Sequence, residues 1–254
     1  SIRKSSCHTE VSESMEQDLK ISKKSTADLV SDKIKELITN HTWTAGQKIP
    51  TEMELSRSFG VNRLTVRIAL QRLSALGLLD IRVGDGTYVK QFDLNDQIHE
   101  LADFYINPET IENVMEYREV IESGCVPAMI RRYTEEELEH FHELCLKFQA
   151  DLEQYYEEKD PEQARNYFLK TIDTSEEMHA SLIGMTHNTL MTYAFSLAKE
   201  PMRRHMHHNA ARRIKDLDSE QKNIWPGRWL ALYEALRKKN EEECRTLLLQ
   251  IIRI

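Results

Sequence analysis

The 254-residue chain is predicted to be mainly α, with an N-terminal domain of three helices and one β-hairpin and a longer, all-α C-terminal bundle. Three observations predict this. Apolar residues recur at i, i+3 and i+4 over nearly the whole length, the spacing of one buried helix face. Only residues 79–89 alternate in the manner of strands. Eight Gly and six Pro are too few for the turn-rich all-β architectures. At roughly 100–200 residues per domain, the length fits two domains.

Charge divides the chain in the same place. The formal net charge is −8, but residues 20–92 hold 12 basic and 7 acidic side chains, a balance of +5. Residues 1–19 carry −2 and residues 93–254 carry −11. A basic segment beside an acidic one is a cue for nucleic-acid binding joined to a second activity, although a charged face is more often merely solvated. No apolar run reaches the roughly 18–20 residues that span a bilayer, and no secretory signal opens the chain, so a soluble, cytoplasmic protein is expected. Cys7, Cys125, Cys145 and Cys244 lie far apart without a CxxC pair, a pattern of reduced thiols rather than of a disulfide framework or zinc finger.

In chain order, residues 1–22 are Ser/Glu-rich and aperiodic and read as a mobile extension. The first domain then covers 23–91. Its first helix opens at Ser25, with Asp28 three residues on as a near capping box, and buries Val30, Ile34, Leu37 and Ile38. Ala45-Gly46-Gln47-Lys48-Ile49-Pro50 breaks that pattern. Thr51-Glu52-Met53-Glu54 is a full capping box for a short second helix, which Gly60 ends. Asn62 caps a third helix with Val66, Ala69, Leu70 and Leu73 on its apolar face. Arg63 and Arg67 stand four apart near its start, with Thr65 between them. Two helices joined by a short Gly-containing turn, the second presenting polar donors at its N-terminus, make a helix-turn-helix. An α-helix fits the DNA major groove, where guanidinium forks match guanine O6/N7 or grip phosphates. Leu79-Asp80-Ile81-Arg82-Val83, Gly84-Asp85-Gly86 and Thr87-Tyr88-Val89 then form a hairpin, and a hairpin placed there completes a winged helix.

Residues 25–90 resemble the DNA-binding domain of the GntR family of bacterial transcription regulators. The matching stretches are Gly46-Gln47-Lys48-Ile49-Pro50-Thr51-Glu52, Gly60-Val61-Asn62-Arg63, Val66-Arg67 with Ala69-Leu70, and Gly84 with Gly86. The resemblance implies operator contacts by Asn62, Arg63, Thr65 and Arg67 on the recognition helix and by Gly84 at the wing tip. There are two departures. Met53 stands where the family commonly has a basic residue, which removes one operator contact. Asp85 puts an acid at the wing tip, where it repels phosphate unless a neighbour such as Lys90 offsets it.

Residues 92–107 read as a linker and first connecting helix, and 108–254 as an all-α domain of six or seven helices in total after residue 92. Asn107-Pro108, the Thr134-Glu135-Glu136-Glu137 capping box and Asp160-Pro161 mark helix starts, and Pro201 and Pro226 punctuate later ones. This half resembles the effector-binding and dimerisation domain of the FadR branch of the family. The matching stretches are Glu116-Tyr117-Arg118-Glu119-Val120-Ile121-Glu122, Met178-His179 with Asn188, and Trp229 through Leu236.

Many members of that branch hold a divalent metal with one Asp and three His. The matching positions here are Ser175, His179, Trp229 and one near Ile251, so three of the four ligands are missing; Asp173, six residues before His179, points elsewhere. No metal or other cofactor is therefore expected. His205 and His208, at i and i+3, are an alternative ligand pair, but a solvated basic helix is the plainer reading, as it is for His140 and His142 at the surface. Without a metal, Arg118 is the candidate anchor for an effector carboxylate, with His179 and Asn188 adding hydrogen bonds and Trp229 an apolar wall. A structural pair between Arg118 and Glu122, its i+4 neighbour, is an equally weighted reading.

The resemblance implies a ligand-responsive regulator, more often a repressor, that binds a palindromic operator as a homodimer and senses a small carboxylate, with sugar acids and acyl thioesters also open. The alternative is a metal- or cofactor-dependent helical bundle whose winged helix serves protein interaction. No nucleophile elbow, Walker loop or Gly-rich dinucleotide turn is present, so no catalytic residues are expected.

Overall fold

The computed structural model describes residues 24–105, 110–208 and 221–253, which form two compact units divided after Asp93. The extension expected at 1–22 and the Asn107-Pro108 cap lie outside the described residues.

The first unit contains α1 (Thr26–Thr39), α2 (Glu52–Phe59), α3 (Arg63–Ala75), β1 (Leu79–Arg82) and β2 (Gly86–Val89). Its helix starts are set locally. The near box at Ser25 is complete: the Asp28 amide donates to Ser25 Oγ at 3.1 Å and the Ser25 amide to Asp28 Oδ2 at 3.0 Å. Thr51 and Glu54 repeat the arrangement at α2, which stops at Gly60 in the left-handed conformation (φ 67°). Helices α1 and α2 both pack on α3, around Val30, Ile34, Ile49, Leu55, Val66, Leu70 and Leu73. The strands are antiparallel, and of their side chains only Leu79 and Val89, which face each other in register, are buried. Residues 45–50 do more than interrupt a helix. They run along β2, with Lys48 bridging Tyr88 and the Ile49 amide donating to the Thr87 carbonyl at 2.9 Å.

The second unit contains α4 (Leu94–Tyr105), α5 (Thr110–Arg132), α6 (Glu135–Glu157), α7 (Pro161–Gly184), α8 (Thr189–His208), α9 (Gln221–Arg237) and α10 (Glu241–Ile252). The first of these, grouped with the linker on sequence, packs on α8 and falls within this unit. Thr134 boxes α6, and Asp160 caps α7 by accepting from the Glu162 and Gln163 amides, with Pro161 in the first turn.

Pro201 and Pro226 do not punctuate helices: they lie inside α8 and α9, as Pro127 lies inside α5. Each removes a single backbone donor, and both Pro201 and Pro226 are buried, so packing holds the helix through the gap. The core runs through Phe141, Phe148, Met178, Leu182, Met185, Trp229, Leu232 and Leu248. Cys125, Cys145 and Cys244 are buried free thiols, and burial pushes the Cys145 and Cys244 thiols up to about 12. Among the described residues, no helix is long and apolar enough to cross a membrane.

Candidate DNA-reading surface and effector cavity

The reading surface begins at Asn62, whose Oδ1 accepts from the Thr65 amide at 2.7 Å. That bond fixes where α3 starts, so the geometry gives Asn62 a capping role. The next turn then carries Arg63, Thr65 and Arg67. Neither guanidinium is buried: the Arg63 and Arg67 side chains keep 62% and 51% of their accessible surface. They are not equally free. Arg67 makes a two-pronged pair with Glu52 of α2, Nε at 2.8 Å and Nη2 at 2.7 Å, while Arg63 approaches the same carboxylate only to 3.8 Å. The bond from Arg67 holds the Glu52 carboxyl below its ordinary range, so the brace stays ionised. Met53, where a basic side chain was expected to be missing, is exposed, with Arg57 Nη2 3.7 Å from its sulfur.

At the wing, Gly84 sits at the turn with φ 79°, beside a fully exposed Val83. Asp85 is neutralised, but by Lys48 where Lys90 was expected. Lys48 Nζ lies 3.1 Å from Oδ1, and the Tyr88 hydroxyl donates to Oδ2 at 2.9 Å. Both bonds hold the Asp85 carboxyl below its usual value. The Arg82 guanidinium covers the Tyr88 ring at 4.2 Å. The Lys48 stem crosses Gly86 so closely that a Cβ there would sit 2.4 Å from Lys48 Cε. The segment 45–50, wing and tip are thus one braced assembly.

The second unit contains a partly open cavity of about 250 Å³. Arg118, His179 and Trp229 all line it. Asn188 does not: its Oδ1 accepts from the Leu190 amide at 3.0 Å, so it caps α8. Behind the cavity wall, Glu122 is almost fully buried and joins two of the lining residues. Arg118 Nε donates to Oε1 at 2.5 Å and His179 Nδ1 lies 2.6 Å from Oε2. Both readings of Arg118 therefore hold geometrically: it pairs with Glu122 and it lines the cavity. Among the described residues the hydrogen bond of Arg118 to protein runs through Nε, so its two terminal nitrogens face the cavity side of the pair.

The charge states follow. Burial alone would raise the Glu122 carboxyl, but His179 and the Arg118 guanidinium beside it hold it below its ordinary value. Burial and the nearby Arg118 charge push His179 down, against the pull of Glu122. We assign an ionised Glu122 balanced by Arg118 and a neutral His179. A carboxylate only accepts, so Nδ1 carries the imidazole proton and Nε2 is an acceptor. The Trp229 ring meets His179 edge-on at 5.0 Å.

Ser175, His179, Trp229 and Ile251, the four positions matched to metal ligands, converge on this one cavity. They offer a hydroxyl, an imidazole already bound through Nδ1, an indole and an alkyl group, a set that does not fit a one-Asp, three-His centre. No cluster of three or more His, Cys, Asp or Glu is placed to hold a metal among the described residues. His205 lines the cavity while His208 does not, so that pair does not converge. Asp173 lies apart and pairs with His207 at 2.9 Å. His142 is not a free surface residue, since its ring stacks on Tyr233 at 4.3 Å. Sequence reasoning missed Glu176 and Arg228. Glu176 Oε1 meets Lys199 at 3.1 Å, whereas its buried Oε2 has no hydrogen-bond partner among the described residues. Arg228 Nη1 donates to the Gln250 carbonyl at 3.1 Å. Glu176 was legible as one turn from Ile172 on the face that also carries Ser175 and His179; a lone arginine beside a tryptophan carries no such signal.

A winged helix-turn-helix followed by a helical domain built around a cavity is the architecture of a two-domain transcription regulator. Residues 26–89 match the family model for bacterial regulatory proteins of the gntR family, and residues 113–253 match the FCD domain. The chain belongs to the GntR family and carries an FCD domain, consistent with the FadR-type branch. It is 33% identical over 108 residues to the HTH-type transcriptional regulator LutR of Bacillus subtilis, covering 42% of this chain and 49% of LutR. It is 29% identical over 122 residues to the HTH-type transcriptional repressor NanR of Salmonella newport, covering 46% of this chain and 47% of NanR. The chain thus spans about half the length of these two curated relatives. Among solved structures, Streptococcus agalactiae GntR shares the fold, with a TM-score of 0.61 at 20% identity over 89% of this chain and 97% of that one.

Proposed function

We propose that the protein is a cytoplasmic repressor that binds a palindromic operator as a homodimer and responds to a small carboxylate held in the helical unit without a metal. The observation that carries this reading is the pair of solvent-exposed guanidinium groups on the first turns of α3, one of them aimed by Glu52. A braced fork loses little side-chain freedom on binding and presents its remaining N–H groups to base edges or phosphates. Arg63, Thr65 and Arg67 would read the major groove and Gly84 would let the wing backbone approach a phosphate, with Asn62 fixing their register. Two-fold symmetry in a dimer would match operator palindromy.

The test is a gel-shift titration at fixed salt, on a duplex selected from a random library by the wild-type protein. Arg63→Ala and Arg67→Ala should each lose tenfold or more in affinity, in line with the roughly 1–3 kcal/mol of a bidentate base contact, while circular dichroism stays unchanged. Unchanged affinity in both variants would refute the reading.

A further inference from the structure

Resting on that reading, we infer that the effector is a monocarboxylate with an apolar body and a hydroxyl or amine next to the carboxylate, bound without a bridging cation. Three features of the cavity converge on this chemistry. First, the Arg118 side chain is more than nine-tenths buried and lines the cavity, and among the described residues it bonds to protein through Nε, to Glu122. A buried guanidinium fork matches one carboxylate. The other lining cations are matched: Lys199 faces Glu176, Arg203 faces Glu200 and Arg253 faces Glu119. Only Arg228 has no carboxylate partner among the described residues, so the balance favours a single negative charge on the ligand.

Second, two acceptors stand on the α7 wall with no donor among the described residues. Glu176 Oε2 is buried and unbonded, and His179 keeps Nε2 as an acceptor because Nδ1 serves Glu122. A buried acceptor left empty is unfavourable, and a ligand O–H or N–H repairs it. Third, most of the remaining lining is apolar, interrupted by the Thr171 and Ser175 hydroxyls and by His205. Phe148, Phe168, Phe195 and Trp225 stand beside Trp229 and Ile251. A polyhydroxylated ligand has more hydroxyls than these few groups can pair, and the surplus would lie against the aromatic wall.

Calorimetric titration of the full chain in EDTA tests this with 3-phenyllactate and 2-hydroxy-4-methylpentanoate as probes. 3-Phenylpropionate, which lacks the hydroxyl, and galactonate, which lacks the apolar body, are the comparators. At least one hydroxy acid should bind, its deoxy or polyhydroxylated counterpart at least fivefold more weakly. Glu176→Met should abolish the hydroxyl preference, and Arg228→Gln should weaken binding tenfold. Arg118→Lys should do the same, with the melting temperature of each unliganded variant as the folding control. Absence of binding by both hydroxy acids, equal affinity for 3-phenylpropionate, tighter binding of galactonate, or binding only after zinc is added would each overturn the inference. If the wild-type protein still shifts its selected duplex in those cases, only the effector chemistry falls. Failure to shift any duplex would overturn the proposed function instead, whatever the cavity binds.

Discussion

Glu122 joins two residues of the second unit that chain distance keeps apart. Its bond to Arg118 was legible because i and i+4 share a helix face. Its bond to His179, 57 residues away, was not, since no local pattern reports a pairing between two helices. Glu122→Gln should destabilise this unit by about 3 kcal/mol or more, because it strands a buried guanidinium without its counter-charge. Chemical denaturation followed by helix signal measures this. The pH response has a defined direction. His179 titrates below its ordinary 6.5 in the folded chain, so below about pH 6.5 the unfolded chain takes up a proton that the folded one refuses. Glu122 is likewise depressed from 4.5, and its contribution is lost as pH falls through its lowered folded value. Melting temperature should therefore drop continuously from pH 7 towards pH 4. His179→Gln should flatten the portion that begins near pH 6.5 and weaken the lower portion, where Arg118 is then left as the support of Glu122.

At the scale of elements, what could be read in advance was what is decided within a few residues. The boxes at Thr51 and Thr134 and the caps at Asn62 and Asp160 rest on bonds to amides two or three positions away, which the sequence displays directly. Asn188 stands one residue before α8 and caps it, a place that a motif likeness does not report. The places of Pro201 and Pro226 are hidden for another reason: burial, invisible locally, outweighs one missing donor. The role of Lys48 was equally hidden, because it depends on β2 folding back over residues 45–50. Gly86→Ala should expose that dependence. The added methyl meets the Lys48 stem at a backbone angle (φ 154°) that suits glycine, so the wing should shift while the helices persist. The expected result is a loss of about 1–3 kcal/mol in stability, with weaker duplex binding in the same gel-shift titration.

Over the whole molecule, charge sorts with the two units. A chain of net charge −8 that holds a +5 surplus in residues 20–92 confines its attraction for polyanions to one unit. Duplex affinity should fall linearly with salt on logarithmic axes, by about 0.9 in slope for every phosphate neutralised. Asp85→Asn frees Lys48 from its partner at the wing tip. It should steepen that slope by about one and raise affinity at low salt, a change that fluorescence-free binding assays such as filter retention read directly.

The position of the indoles has a practical consequence. Of the three tryptophans, Trp43 belongs to the first unit, while Trp225 and Trp229 line the cavity, the latter against the ring of His179. Emission from the second pair is set by the water and polar groups around them, which an arriving occupant displaces. With Trp43 replaced by Phe, the chain becomes its own label-free optical gauge of cavity occupancy.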